Sequence, residues 1–105
     1  MKMELASLVG LLVTEIGMVH DYLRIGFEDS SWFNILNRFQ IEDGDTSTLT
    51  RIKGERLVSV NQTTEAIEFK FGNGMAIRVG MADDDFLGPE AMVYADPNGK
   101  TLVWN

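Results

Sequence analysis

His20 is the only histidine in the chain, and Asp21 follows it directly, so this pair is the first place to look for acid–base chemistry. On a strand the two side chains would point to opposite faces and form no dyad. In a turn they can approach, and a turn histidine is the expected reading. A nucleophile is harder to find. The chain has no cysteine, and Ser30 and Ser31 stand in an expected hairpin loop rather than a strand–turn–helix elbow. Sixteen Asp and Glu residues always allow a glycosidase-like carboxylate pair, but no spacing selects two of them. The expected protein is therefore not an enzyme, and no cofactor is expected.

Metal chemistry has two candidates. Glu42-Asp43-Gly44-Asp45-Thr46-Ser47 offers oxygen ligands at alternate positions, as a calcium loop does at its opening. Counted from Asp43, the places that need Gly and Glu hold Thr48 and Gly54, so the pattern fails. Asp83, Asp84 and Asp85 are dense in oxygen, yet three consecutive carboxylates do not face one ion without an unusual loop. No metal site is expected. Gly72-Asn73-Gly74 lacks the Lys and Ser/Thr of a phosphate loop and sits between two strand-like segments, so it reads as a hairpin turn.

Charge narrows the partners. Nine Lys and Arg stand against sixteen Asp and Glu, giving a net charge of -7 over 105 residues. Arg51, Lys53, Arg56, Lys70 and Arg78 are offset by Glu55, Glu65 and Glu68, so nucleic acid is not an expected partner. The acids gather in expected loops: Glu28-Asp29, Glu42-Asp43 with Asp45, and Asp83-Asp84-Asp85 with Glu90. Such loops at one end of a sheet would steer a basic protein partner. Trp32 would supply an aromatic anchor there, with core packing as its alternative. The expected partner-binding residues are thus Asp83, Asp84, Asp85, Glu90, Glu42, Asp43, Asp45 and Trp32. A second function stays open, a small-molecule-binding β-fold whose apolar cavity is lined by Phe27, Phe33, Phe69 and Phe71.

The elements that must position these residues come from the pattern of the chain. Offsetting it by 44 places Leu5 on Leu49, Gly10 on Gly54 and Phe27 on Phe71, with apolar positions in phase between them. Each half reads as a short helical turn, a Gly and three strands. The turns are Leu5–Val9 and Leu49–Ile52, without a Glu or Gln to complete a capping box. The first strands are Leu12–Val19 and Arg56–Asn61. In the second strands Leu23, Ile25 and Phe27 match Ile67, Phe69 and Phe71, the latter in the unbroken alternation Ala66–Phe71. Third strands are expected at Trp32–Phe39 and Met75–Val79. Beyond Gly80 a loop, a strand at Glu90–Tyr94, the turn Asp96-Pro97-Asn98-Gly99 and a strand at Leu102–Trp104 follow.

The expected fold is mainly β (β-rich α+β): about eight strands in an antiparallel sheet sandwich or partial barrel, built from two similar halves with short helical turns. One domain spans 1–105, with halves 4–36 and 48–80 and a C-terminal hairpin at 89–105. The free edge of the C-terminal strand would allow a homodimer. The apolar run Leu8–Val13 is bracketed by Glu4 and Glu15 and lacks a cleavage site, so core packing is expected rather than a signal peptide. It is far shorter than the ~20 residues of a span. No membrane contact and a cytoplasmic location are the expectations.

Three stretches carry a resemblance: Phe71-Gly72-Asn73-Gly74, Gly88-Pro89-Glu90-Ala91-Met92 and Val103-Trp104. Together they resemble small bacterial proteins of the toxin–immunity type. The resemblance implies an acidic inhibitor that binds a cognate toxin, often a basic nuclease. Immunity proteins share no single fold, so it implies no architecture.

Overall fold

Alternation decides the core. In β2 (Tyr22–Phe27) and β6 (Ala66–Phe71), Leu23, Ile25, Phe27, Ile67, Phe69 and Phe71 are all buried. Arg24, Glu68 and Lys70 take the opposite faces, as a two-residue period requires. Each large apolar side chain removed from water adds about 1.5–3 kcal/mol. The computed structural model describes residues 5–42 and 44–105. Its other strands are β1 (Val13–Val19), β3 (Trp32–Ile35), β4 (Phe39–Glu42), β5 (Leu57–Gln62), β7 (Ala76–Gly80), β8 (Met92–Ala95) and β9 (Thr101–Trp104).

All pairings between these strands are antiparallel. They form a five-stranded sheet, β1-β2-β3-β8-β9, and a four-stranded sheet, β4-β7-β6-β5. The two sheets pack as a sandwich and do not close into a barrel. Phe33 at the centre touches both, with its ring 5.4 Å from Phe69 and 4.8 Å from Tyr94.

The two halves make matching bonds. Val13 pairs with Phe27 as Leu57 pairs with Phe71, and a register shift follows both Val13 and Leu57. Ile25 faces Phe33 as Phe69 faces Ile77. The seam between the sheets is reciprocal. Gly10 N donates to Leu57 O at 2.7 Å, and Gly54 N donates to Val13 O at 2.8 Å. Leu12 and Arg56 bridge at its centre. Gly10 and Gly54 hold φ of +98° and +87°, a region that disfavours a side chain, so both first strands are entered through glycine.

The halves then exchange strands: β8 lies beside β3, and β4 lies beside β7. The link from β3 to β4 is short, Leu36–Arg38, whereas the link from β7 to β8 runs over 81–91. The longer link carries Asp83, Asp84, Asp85 and Glu90.

Several expectations change. The strand expected at Trp32–Phe39 is two strands, because Leu36 N and Asn37 N both donate to Ala91 O, at 2.9 and 3.0 Å. The count is accordingly nine strands among the described residues rather than eight. The helical turns are 3-10 turns at Leu5–Leu8 and Thr46–Arg51, and a third forms at Asp83–Asp85. The second starts earlier than expected because Asp45 caps it. The Asp45 carboxylate accepts from Ser47 N at 2.9 Å, and the Thr48 hydroxyl accepts from Asp45 N at 3.0 Å. A threonine thus completes the box without a Glu or Gln. No helix among the described residues is long and apolar enough to cross a membrane.

Candidate functional site

The residues expected to bind a partner fall at opposite ends of the sandwich. Asp83–Asp85 is tied to the β3–β4 crossing, where Arg38 N donates to Asp85 O at 2.8 Å and Arg38 Nε to Asp84 O at 3.3 Å. Glu42 lies at the far end of β4, opposite Ala76. Asp45 belongs to that far end as well, since neighbouring Gly44 sits against Met75 in the β6–β7 turn. Asp43 lies outside the described residues. The expected list is therefore two separate acidic surfaces, not one.

Trp32 belongs to neither. It is half-buried on the outer face of the five-stranded sheet, with the Arg24 guanidinium 4.4 Å from its ring centre. Trp104 instead turns inward, 6.2 Å from Phe33. The two outer faces differ in character. Tyr22, Arg24, Trp32 and Val93 share one, whereas Gln40, Glu68, Lys70 and Arg78 share the other. Asn34 lies beside Arg24 and Val93, and its Oδ1 has no partner.

The end that carries Asp83–Asp85 has the richer geometry. A cleft of about 520 Å³ opens there, within the range of pockets that hold small groups. Asp21, Asn37, Arg38, Glu65, Arg78 and Asp85 line it, with Phe39 and Leu87 as apolar neighbours. Asp21 comes from the β1–β2 turn, Glu65 from the β5–β6 turn, and Asp85 and Leu87 from the long 81–91 link. A smaller concavity of about 170 Å³ adjoins it through Asp21 and Leu87 and reaches Glu90.

Two contacts fix the cleft wall. The Asp85 carboxylate accepts from Ala82 N at 3.1 Å and lies over Gly80, where a Cβ would collide with it. The Asn37 side chain donates from Nδ2 to Gly80 O at 2.7 Å. Asn37 is 2% exposed, and its Oδ1 has no partner. None of these contacts has a local signature in the sequence. Asn37 and Gly80 are 43 residues apart, and Arg38 and Asp84 are 46 apart. The single available signal was the 44-residue offset, which sets Leu36 against Gly80.

The other candidates fall into plain structural roles. His20 is exposed in the β1–β2 turn with φ +58°. Ser31 is at the opposite end of β2, about 17 Å away by strand rise. The Ser31 hydroxyl donates to Asp29, so the two do not form a catalytic pair. Phe27, Phe33, Phe69 and Phe71 are at most 3% exposed. Phe33 packs at 6.2 Å from Phe27 and 5.4 Å from Phe69, so these rings fill the core. Comparison with known protein families, curated proteins and solved structures gave no match.

Among the described residues two groups titrate away from their ordinary values. Hydrogen bonds from the Ser47 hydroxyl and backbone hold the Asp45 carboxyl below 3.8. Burial pushes the Tyr94 phenol above 10.0, and the negative charges of Asp29 and Asp96 add to the rise.

Proposed function

We propose that the protein is a non-catalytic binding module that holds a basic protein partner at its Asp83–Asp85 end. The specific form of this reading is an immunity-type inhibitor that occupies a cognate toxin. One observation carries it: Asp83, Asp84, Asp85 and Glu90 gather at one end of the sandwich, where Asp21, Glu65 and Asp85 line a formed cleft. The chain's net charge of -7 adds a long-range attraction for a cationic surface. Acidic side chains on short, well-bonded turns would be ready for contact, which limits the ordering cost of association.

The test is capture of the neighbouring gene's product at rising salt, with the native chain and the Asp83→Asn/Asp84→Asn variant. Asp85 is left intact because its carboxylate holds the turn. The expected result is a complex that weakens with salt and weakens further in the variant. Equal capture by native chain and variant at every salt concentration would remove the acidic end from the reading.

A further inference from the structure

β4 pairs with β7 as β8 pairs with β3. Phe39 faces Val79 and Ile41 faces Ile77, while Met92 faces Ile35 and Tyr94 faces Phe33. The 44-residue offset sets Ile35 on Val79 and Phe33 on Ile77. Phe39 and Ile41 therefore take, in one sheet, the places that Met92 and Tyr94 take in the other. β8 is covered in turn by β9, with Trp104 opposite Met92 and Leu102 opposite Tyr94. β4 is the edge of its sheet, and no strand among the described residues pairs with its open side. Burial differs accordingly: Met92 and Tyr94 are buried, whereas Phe39 and Ile41 are half-buried.

The main chain carries the same correspondence. Gly80 N donates to Arg38 O at 3.0 Å, so alternation turns Arg38 and Gln40 toward β7 and sets the N–H and C=O of Phe39 and Ile41 on the open side. In the other sheet Leu36 N donates to Ala91 O at 2.9 Å, which turns Met92 and Tyr94 away from β3. Trp104 O and Lys100 O accept from Ala91 N and Asp96 N, so Leu102 and Trp104 aim their main-chain groups at β8. β9 is thus a template for the strand that such an edge takes: antiparallel, with apolar residues at two positions separated by one. β1 and β5 are poorer edges, because each carries a register shift that interrupts continuous pairing. Charge adds a direction. Glu42 stands in the place of Ala95, which lies opposite Thr101, the residue after Lys100. A basic residue ahead of the apolar pair therefore suits Glu42.

We infer that β4 accepts an extended strand of a protein partner by sheet addition, antiparallel to Phe39–Glu42 and bonded to the N–H and C=O of Phe39 and Ile41. The incoming strand carries two apolar side chains over Phe39 and Ile41 and a basic residue toward Glu42. This strand site rests on register and not on Asp83–Asp85, so it stands or falls separately from the acidic end.

The test is an NMR titration of the isotope-labelled full chain with a capped peptide of residues 98–105, the template strand itself. Saturable shifts of the Phe39 and Ile41 backbone amides are expected, with slower hydrogen exchange at both. Two further peptides separate strand addition from apolar contact. N-methylation at Leu102 of the peptide removes a donor aimed at β4 and should weaken binding about fivefold or more, the fold-change of one hydrogen bond. N-methylation at Val103 alters a group aimed at solvent and should leave binding within about twofold. Equal loss with both methylated peptides, or no saturable shift at Phe39 and Ile41, would overturn the strand site. Shifts confined to Thr101 and Val103 of the chain, or to Met92 and Tyr94, would place the peptide on or instead of β9 and overturn it too. If Phe39 and Ile41 shift as the chain alone is concentrated, together with a rise in mass by light scattering, the occupant is a second copy and the partner strand is overturned. Capture of a basic partner through Asp83 and Asp84 has no bearing on these amides, so failure of either reading is seen independently.

Discussion

Phe33→Ala tests whether one aromatic contact set joins the two sheets. Phe33 is fully buried, with ring centres at 6.2 Å to Phe27, 5.4 Å to Phe69, 4.8 Å to Tyr94 and 6.2 Å to Trp104. These partners come from β2, β6, β8 and β9, so truncation opens a space that no single strand can refill. Phe→Ala in a core costs about 3–5 kcal/mol, of which aromatic pairing supplies ~0.5–1.5 kcal/mol per pair beyond area. At about 4–8 °C per kcal/mol for a domain near this size, Tm should fall by at least about 12 °C. In urea the midpoint should drop by about 2–3 M for a slope of ~1.5 kcal/mol/M. Domains of this size hold about 5–15 kcal/mol in total, so the variant approaches the limit of folding. Phe33→Leu keeps most of the volume and should cost less while still losing the ring contacts. The control is Val58→Ala, at a side chain 50% exposed, where a change within ~0.5 kcal/mol is expected. Circular dichroism melts of the three variants decide the matter. A Phe33→Ala loss no larger than that of Val58→Ala would refute the placement of the core.

Three further outcomes follow from local structure. Ser30 holds φ +73° where its counterpart in the other half is Gly74 at φ +89°, so Ser30→Gly should relieve backbone strain and raise Tm by a few degrees, measured by calorimetry. The Asp45 carboxyl is depressed below 3.8, so its contribution is fully present above that pH and is lost as pH falls through its lower folded value. Asp45→Ala should therefore melt earlier than the native chain at pH 7, with the gap closing in strong acid. Tyr94 is shifted the other way, above 10.0, so folding favours the neutral phenol and stability should decline as pH rises past 10. Tyr94→Phe should flatten that alkaline slope in pH-dependent melts.

The parts that were legible in the chain are those with local causes. Ala66–Phe71 alternates without interruption, and Gly72-Asn73-Gly74 closes the hairpin through Gly74 N to Phe71 O at 3.0 Å. Asp96-Pro97-Asn98-Gly99 likewise turns where its residues suggest, with Gly99 N bonded to Asp96 O at 3.0 Å. The β3–β4 break is invisible in the chain because Trp32–Leu36 is an apolar run interrupted only by Asn34, with no Gly or Pro to mark an end. What ends the strand is Ala91, an acceptor more than fifty residues away. The site was illegible for the same reason. Acidic residues were visible as a class, but only the fold separates Glu42 and Asp45 from Asp83, Asp84 and Asp85. Asp21, Asn37 and Glu65 carry no local signature.

The comparison of the two halves also indicates where specificity must reside. Their seam and strand registers coincide, so the shared skeleton supplies stability to both ends and distinguishes neither. The difference lies in the links: Leu36–Arg38 in one half and 81–91 in the other. The longer link is anchored rather than loose at its start, through Arg38 N to Asp85 O at 2.8 Å and the Asp85 carboxylate on Ala82 N at 3.1 Å. Beyond that anchor, Leu87, Gly88 and Pro89 are exposed. A partner meeting this end would thus find a wall already fixed beside Asn37 and a short exposed lip at Leu87. A fixed wall lowers the entropy lost on binding, while the lip can adjust to the incoming surface. Substitutions at Leu87 should therefore change how tightly a partner is held, and substitutions at Asp85 should disturb the wall for every partner alike.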